Sequence, residues 1–179
     1  INKGDYKVLY FQNSEDNMYV ISNKRVYGYQ NMAGNDDGPQ DAAMMLISGI
    51  NPLASNKIDG IYNIQDIAGV NFDMKLKILT KTDADLNLND IPHTAFSYNS
   101  GVIEGKEEFS FYEFSEADVN TIISTKPSKR LIIESDGPVY GMYYGYNSPQ
   151  GVAGYFFSFS DFDNDGISDS DDLDDDNDG

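Results

Sequence analysis

Between Val70 and Thr80 the chain reads VNFDMKLKILT, with Phe72, Met74, Leu76 and Ile78 separated by polar residues. Apolar side chains at every second position reach a common core only if the backbone is extended, because successive side chains of a strand point to opposite faces. One half-buried strand needs partners, and the sequence offers them at short intervals. Tyr6–Phe11, Met18–Tyr29, Gly60–Ile64, Thr94–Tyr98, Glu107–Phe114, Arg130–Glu134, Val139–Tyr146 and Val152–Ser160 read as further strands. Asn, Asp, Ser and Gly turn signals divide them. The aromatic residues are 13 tyrosines and 10 phenylalanines, a supply suited to pleated surfaces.

The last two of these strands flank NSPQG and predict a hairpin with a five-residue loop. Two short helices are expected among the strands. Asp41–Ser48 has an N-cap aspartate and is followed by Gly49 as a stop. Ser115–Ser124 opens with Ser115 and Asp118, a capping box with aspartate in place of glutamate, and Pro127 lies just beyond it. The fold class expected is all-β: an antiparallel β-sandwich, with a jelly roll as one form of it. An α+β fold with one large sheet is the alternative.

The main boundary falls at Ser160–Asp161, giving a module over 1–160 and a distinct segment over 161–179. That segment, DFDNDGISDSDDLDDDNDG, holds ten aspartates and no lysine or arginine. Asp161, Asp163 and Asp165 alternate and run into Gly166, with Asp169 and Asp172 following. This is the ligand spacing of a calcium loop: oxygens at positions 1, 3 and 5, glycine at 6, the Ile167 carbonyl at 7, and carboxylates at 9 and 12. A solvated acidic tail has no reason to alternate its aspartates or to place a glycine after the third. Asp174, Asp176 and Asp178 restart the pattern thirteen residues on. Ca²⁺ is the hard, oxygen-seeking cation that suits such a set.

Asp161, Asp163, Asp165, Gly166, Ile167, Asp169 and Asp172 match the unit D-x-D-x-D-G-I-x-D-x-x-D. In this the segment resembles the thrombospondin type 3 repeat. The resemblance implies successive units wrapped around a string of calcium ions, serving in bacterial surface proteins as a stalk or linker. It also implies that residues 1–160 are one module of a longer secreted polypeptide. The second half-loop lacks its later ligands, so its ion is expected to be incomplete or shared with residues further on.

Net charge is −18, of which −10 falls in the aspartate-rich segment. With only 12 lysines and arginines the chain is a poor match for nucleic acid or for an acidic membrane surface. No apolar run reaches the roughly eighteen residues of a membrane span. Absence of cysteine removes disulfides and thiolate metal sites but does not choose a compartment. Low-affinity calcium loops need the high calcium found outside cells, so an extracellular or cell-surface location is expected.

Catalytic chemistry finds little support. His93 is the single histidine, and no nucleophile elbow or second metal-binding histidine accompanies it. Paired carboxylates of a glycosidase could be drawn from Glu104, Glu107, Glu108, Glu113 and Glu134, with Glu107 and Glu113 on one face of a strand. Solvent-facing acids follow the same pattern. Asp83, Asp85, Asn87, Asn89 and Asp90 also alternate oxygen ligands, but Leu88 stands where a calcium loop needs glycine. A turn-rich loop or strand edge is the main reading there, and a second calcium the alternative. Tyr140, Tyr143, Tyr144 and Tyr146 crowd one hairpin arm, and can stack on sugars, fill an interface, or simply pack. The function expected is a non-catalytic module for adhesion or surface-appendage assembly. Its partner would be a cell-surface protein or glycan, or copies of itself. Carbohydrate recognition as an accessory module of a secreted enzyme is the alternative, and a glycosidase a more distant one.

Overall fold

The computed structural model describes residues 7–8, 19–23, 28–32, 43–47, 49–50, 54–62, 64, 73–147 and 150–156. Of the expected strand Tyr6–Phe11 only 7–8 are described, and of Met18–Tyr29 only 19–23 and 28–29; residues 7–8 and 19–23 are irregular, while 28–29 are strand. The whole of 161–179 lies outside that set. Eleven strands are described: β1 (Gly28–Met32), β2 (Ala43–Ile47), β3 (Lys57–Tyr62), β4 (Asp73–Lys81), β5 (Asn87–Leu88), β6 (Ile91–Pro92), β7 (Asn99–Ile103), β8 (Lys106–Ser115), β9 (Arg130–Glu134), β10 (Tyr140–Asn147) and β11 (Gln150–Phe156). A single α-helix, α1 (Glu116–Ser124), is described among them.

Every pairing among the described strands is antiparallel. A five-stranded sheet runs β11-β10-β4-β8-β7, a four-stranded sheet runs β3-β9-β5-β6, and β1 pairs with β2. The alternation first seen in the sequence sets β4 at the centre of the larger sheet. Met74, Leu76 and Ile78 point inward, and Tyr143 of β10 and Phe114 of β8 stand opposite Leu76 on the same face. Ile58 and Ile61 of β3, Leu88 of β5, and Leu131 and Ile133 of β9 complete one apolar cluster from the other sheet. Two sheets sharing one core make this a β-sandwich-like, all-β fold. Leu76, Phe114, Leu131 and Ile133 are fully buried. Each contributes about 1.5–3 kcal/mol, which makes this core the main source of stability.

Helix α1 forms where expected and packs Val119, Ile122 and Ile123 into the same core. Ser115 caps it: its Oγ accepts the Asp118 backbone N–H at 3.3 Å and donates to the Asp118 carboxylate at 2.5 Å. The capping pair is therefore closed by the hydroxyl proton.

Three further expectations change. Ala43–Ile47, expected inside a helix over Asp41–Ser48, is strand β2, in register with β1 from Met32↔Ala43 to Gly28↔Ile47. A five-residue apolar run has no period of its own, so strand pairing overrides helix propensity. Thr94–Tyr98, expected as a strand, falls partly in a 3₁₀ turn over His93–Ala95, entered from Pro92, and the strand follows at Asn99. The β10–β11 hairpin is tighter than expected, because Asn147 pairs with Gln150.

A second hairpin matters more. Leu88 pairs with Ile91, and both intervening residues, Asn89 and Asp90, have positive φ (54° and 69°). That is the geometry of a type I′ turn, for which Asn and Asp are suited. The Asn89 side chain is buried and fully bonded. Its amide donates to the carbonyls of Ile122 and Arg130, both at 2.9 Å, and its oxygen accepts the Ile132 N–H at 2.8 Å. One turn residue thereby joins the C-terminal end of α1 to strand β9.

Candidate functional site

The four hairpin tyrosines do not share a surface. Tyr143 points into the main core, and burial, with the nearby Glu116 charge, pushes its phenol up to about 12. Tyr140 is buried on the opposite face of the sheet, against Phe109 and Ala54. Tyr144 stands on that same outer face, half-buried. Tyr146 is placed by its backbone, opposite Gly151 and Asp73.

Around Tyr144 the outer face of the five-stranded sheet assembles a polar and aromatic cluster. Register puts Lys77 opposite Glu113 and Tyr144 opposite Lys75, so side chains from β4, β8 and β10 meet. Glu113 takes Lys77 Nζ at 3.2 Å and Lys75 Nζ at 3.6 Å, and accepts a short hydrogen bond from the Tyr144 hydroxyl. Lys77 lies over the Phe111 ring at 4.7 Å and the Tyr144 ring at 5.9 Å from their centroids. Phe111 itself spreads across β7. A Cβ on Gly101 would come within 2.8 Å of the Phe111 ring, so only glycine lets the ring lie there.

Electrostatics fix the proton positions. Burial opposes the Glu113 charge, but the Tyr144 hydroxyl and the two lysines outweigh it and hold the carboxyl below its ordinary value. Tyr144 is pushed up by burial and then by its bond to Glu113. At neutral pH the cluster is thus an ionised carboxylate, a phenol that keeps its proton, and two ammonium groups. It can offer hydrogen-bond donors and aromatic surface to a ligand, but neither the acid nor the phenol titrates near neutrality for proton transfer.

The strand VNFDMKLKILT carried the signal for this cluster on its polar positions. Lys75 and Lys77 alternate with the apolar residues there, in a chain with only 12 lysines and arginines. Attention to the apolar positions hides them.

The remaining candidates are placed as follows. The calcium-ligand set Asp161, Asp163, Asp165, Ile167, Asp169, Asp172, Asp174, Asp176 and Asp178 lies outside the described residues. Glu107 and Glu113 are not brought together. The Glu107 carboxylate turns back to the Gly105 N–H at 3.2 Å, beside the β7–β8 turn. Six residues of strand, roughly 20 Å, separate it from Glu113, beyond the span of a glycosidase pair.

His93 sits on the 3₁₀ turn, its Nδ1 at 3.1 Å from the Leu86 carbonyl oxygen and its ring against Tyr98 and Tyr112. In the Asp83–Asp90 stretch, Leu86 and Leu88 face the core, the Asp85 N–H bonds the Asp136 carboxylate, and Asp90 pairs with Lys126. Of its side-chain oxygens, that of Asn89 accepts the Ile132 N–H and a carboxylate oxygen of Asp90 takes Lys126. Among the described residues no three histidine, aspartate or glutamate side chains group as a metal cage. No helix among them is long and apolar enough to cross a membrane. No protein-family model, curated protein or solved structure matches the chain.

Proposed function

We propose that the chain is a non-catalytic module of a secreted or cell-surface bacterial protein acting in adhesion or surface-appendage assembly. In this reading the sandwich-like module carries the binding surface, and the segment from Asp161 onward is a calcium-stiffened linker to the next module. The observation that carries it is the spacing Asp161, Asp163, Asp165, Gly166, Asp169 and Asp172, which suits one Ca²⁺, a hard cation that takes carboxylate and carbonyl oxygens. The proton positions in the Glu113 cluster support a binding role over an acid–base one. Residues 161–172 are expected to bind one Ca²⁺ in calorimetry, and Asp165→Ala to abolish it. No binding, or binding unchanged by Asp165→Ala, overturns the linker. Since the apolar core holds the sheets, chelation is expected to leave their circular-dichroism melt in place.

A second reading, a carbohydrate-binding module of a secreted enzyme, is favoured by the Phe111–Lys77–Tyr144 arrangement on the outer face of the five-stranded sheet, where all three are part-exposed. A glycan array decides between them. Binding to plain structural polysaccharide favours the enzyme accessory. Binding to cell-surface glycans, or self-association that needs calcium, favours the surface module.

A further inference from the structure

Lys81 continues the lysine row of β4 toward the other end of the sheet, where the surface is concave. A cavity of about 340 Å³ opens there, within the size range of small-molecule sites. Lys81, Lys106, Glu108 and Tyr19 line it, over Phe109. Ile50 and Pro138 add apolar walls.

We propose that this cleft binds a sugar that carries a carboxylate. Lys106 is held in place, paired with Glu108 and with its ammonium 5.8 Å from the centre of the Tyr19 ring. Lys81 has no carboxylate partner among the described residues. Its stem rests against Gly137, where a Cβ would come within 3.1 Å of Lys81 Cδ. The glycine thus makes room for that lysine.

Two ammonium groups and one carboxylate leave a single positive charge in the cleft, on a chain whose net charge is −18. That charge calls for one anionic group. Glu108 can accept only from a donor, and sugar hydroxyls are donors, whereas a densely phosphorylated ligand would be repelled by it. Tyr19 offers an amphipathic ring to a sugar face. A wholly apolar ligand would strip water from two cations and a carboxylate without replacing it. A neutral sugar would leave Lys81 unmatched. One carboxylate on a hydroxyl-rich ring matches the charged groups and the tyrosine lining the cleft.

This inference rests on the reading of the chain as a binding module, and names its ligand. The test is calorimetry of the whole chain against trigalacturonate, sialyllactose and neutral lactose. At least one acidic sugar is expected to bind and lactose not. Binding of trigalacturonate alone identifies a uronate polymer as the source, and of sialyllactose alone a sialylated surface glycan. Lys81→Gln and, independently, Lys106→Gln are each expected to weaken that binding about tenfold. Lys57→Gln, on the other sheet, is expected to leave it unchanged. Lactose binding as tightly as the acids, no acid binding, or acid binding indifferent to both cleft variants overturns the proposal. A calcium titration on the same sample reports the linker separately, so its failure and the failure of the cleft are distinguishable.

Discussion

The two sheets turn outward faces of different character to solvent, although both use cross-strand ion pairs. On the four-stranded sheet Lys57 pairs with Glu134 at 2.6 Å, and Asp59 bonds Arg130 Nε at 2.5 Å. The side chains of Lys57 and Glu134 keep 46% and 35% of their surface exposed, so water already satisfies much of their charge. On the five-stranded sheet Glu113 keeps 14%, enclosed by Lys77, Tyr144 and the neighbouring aromatic rings. Similar chemistry therefore has different consequences. Exposed pairs decorate a sheet that the core already holds, whereas Glu113 organises the side chains around it, because a carboxylate so enclosed cannot turn to water instead.

The largest effect is expected at Glu113. Glu113→Gln removes the charge from between two lysines and is expected to cost about 1–2 kcal/mol, read as a fall in urea midpoint at unchanged slope. An unchanged midpoint would place Glu113 in the same category as Glu134. A pH series sharpens this. Because folding lowers the Glu113 pKa, its stabilisation is present above the unfolded carboxyl value of about 4.3 and is lost as pH falls through the lower folded value. Glu113→Gln is expected to flatten that part of the acid-unfolding curve.

Tyr144→Phe comes next, at about 1 kcal/mol for a lost hydrogen bond. Its phenol is raised in the folded state, so stability holds below about pH 10, the unfolded value, and drains away as pH rises past it. The phenylalanine variant is expected to lose that alkaline component, and an identical alkaline melt in both proteins would count against the bond. The smallest effect is expected on the other face. Lys57→Ala is expected to change stability by less than about 0.5 kcal/mol, and by nothing measurable in high salt. A larger loss there would erase the distinction between the faces.

How much of this could be read from the sequence depended on whether a signal was local. The β4 strand and Arg130–Glu134 carried their own period, and Ser115 with Asp118 marked the start of α1, so all three were legible. Ala43–Ile47 was not, since its strand state comes from pairing with Gly28–Met32 across intervening chain. Strand β7 was also missed: Asn99, Ser100 and Gly101 look like a turn, and Gly101 belongs in a strand only because Phe111 covers it. The tyrosines were visible as a group, but which face each took depended on register, and register divided Tyr143 from Tyr140 and Tyr144. The lysines that complete the cluster stood on the polar half of the same alternation that defined the core.

Asn89 has a kinetic meaning beyond its hydrogen bonds. Its side-chain partners lie 33, 41 and 43 residues away in sequence, on α1 and on β9. Those bonds cannot form until the chain between has closed into a loop of that length, whereas the Leu88–Ile91 turn and the first turn of α1 need only near neighbours. The amide is therefore satisfied late, when helix and strand arrive together, and it must be released early if either is to leave. Asn89→Gly, which removes the amide and keeps the positive φ of the turn, is expected to accelerate unfolding far more than it slows refolding, so that this side chain governs how long the folded domain lasts rather than how quickly it is made.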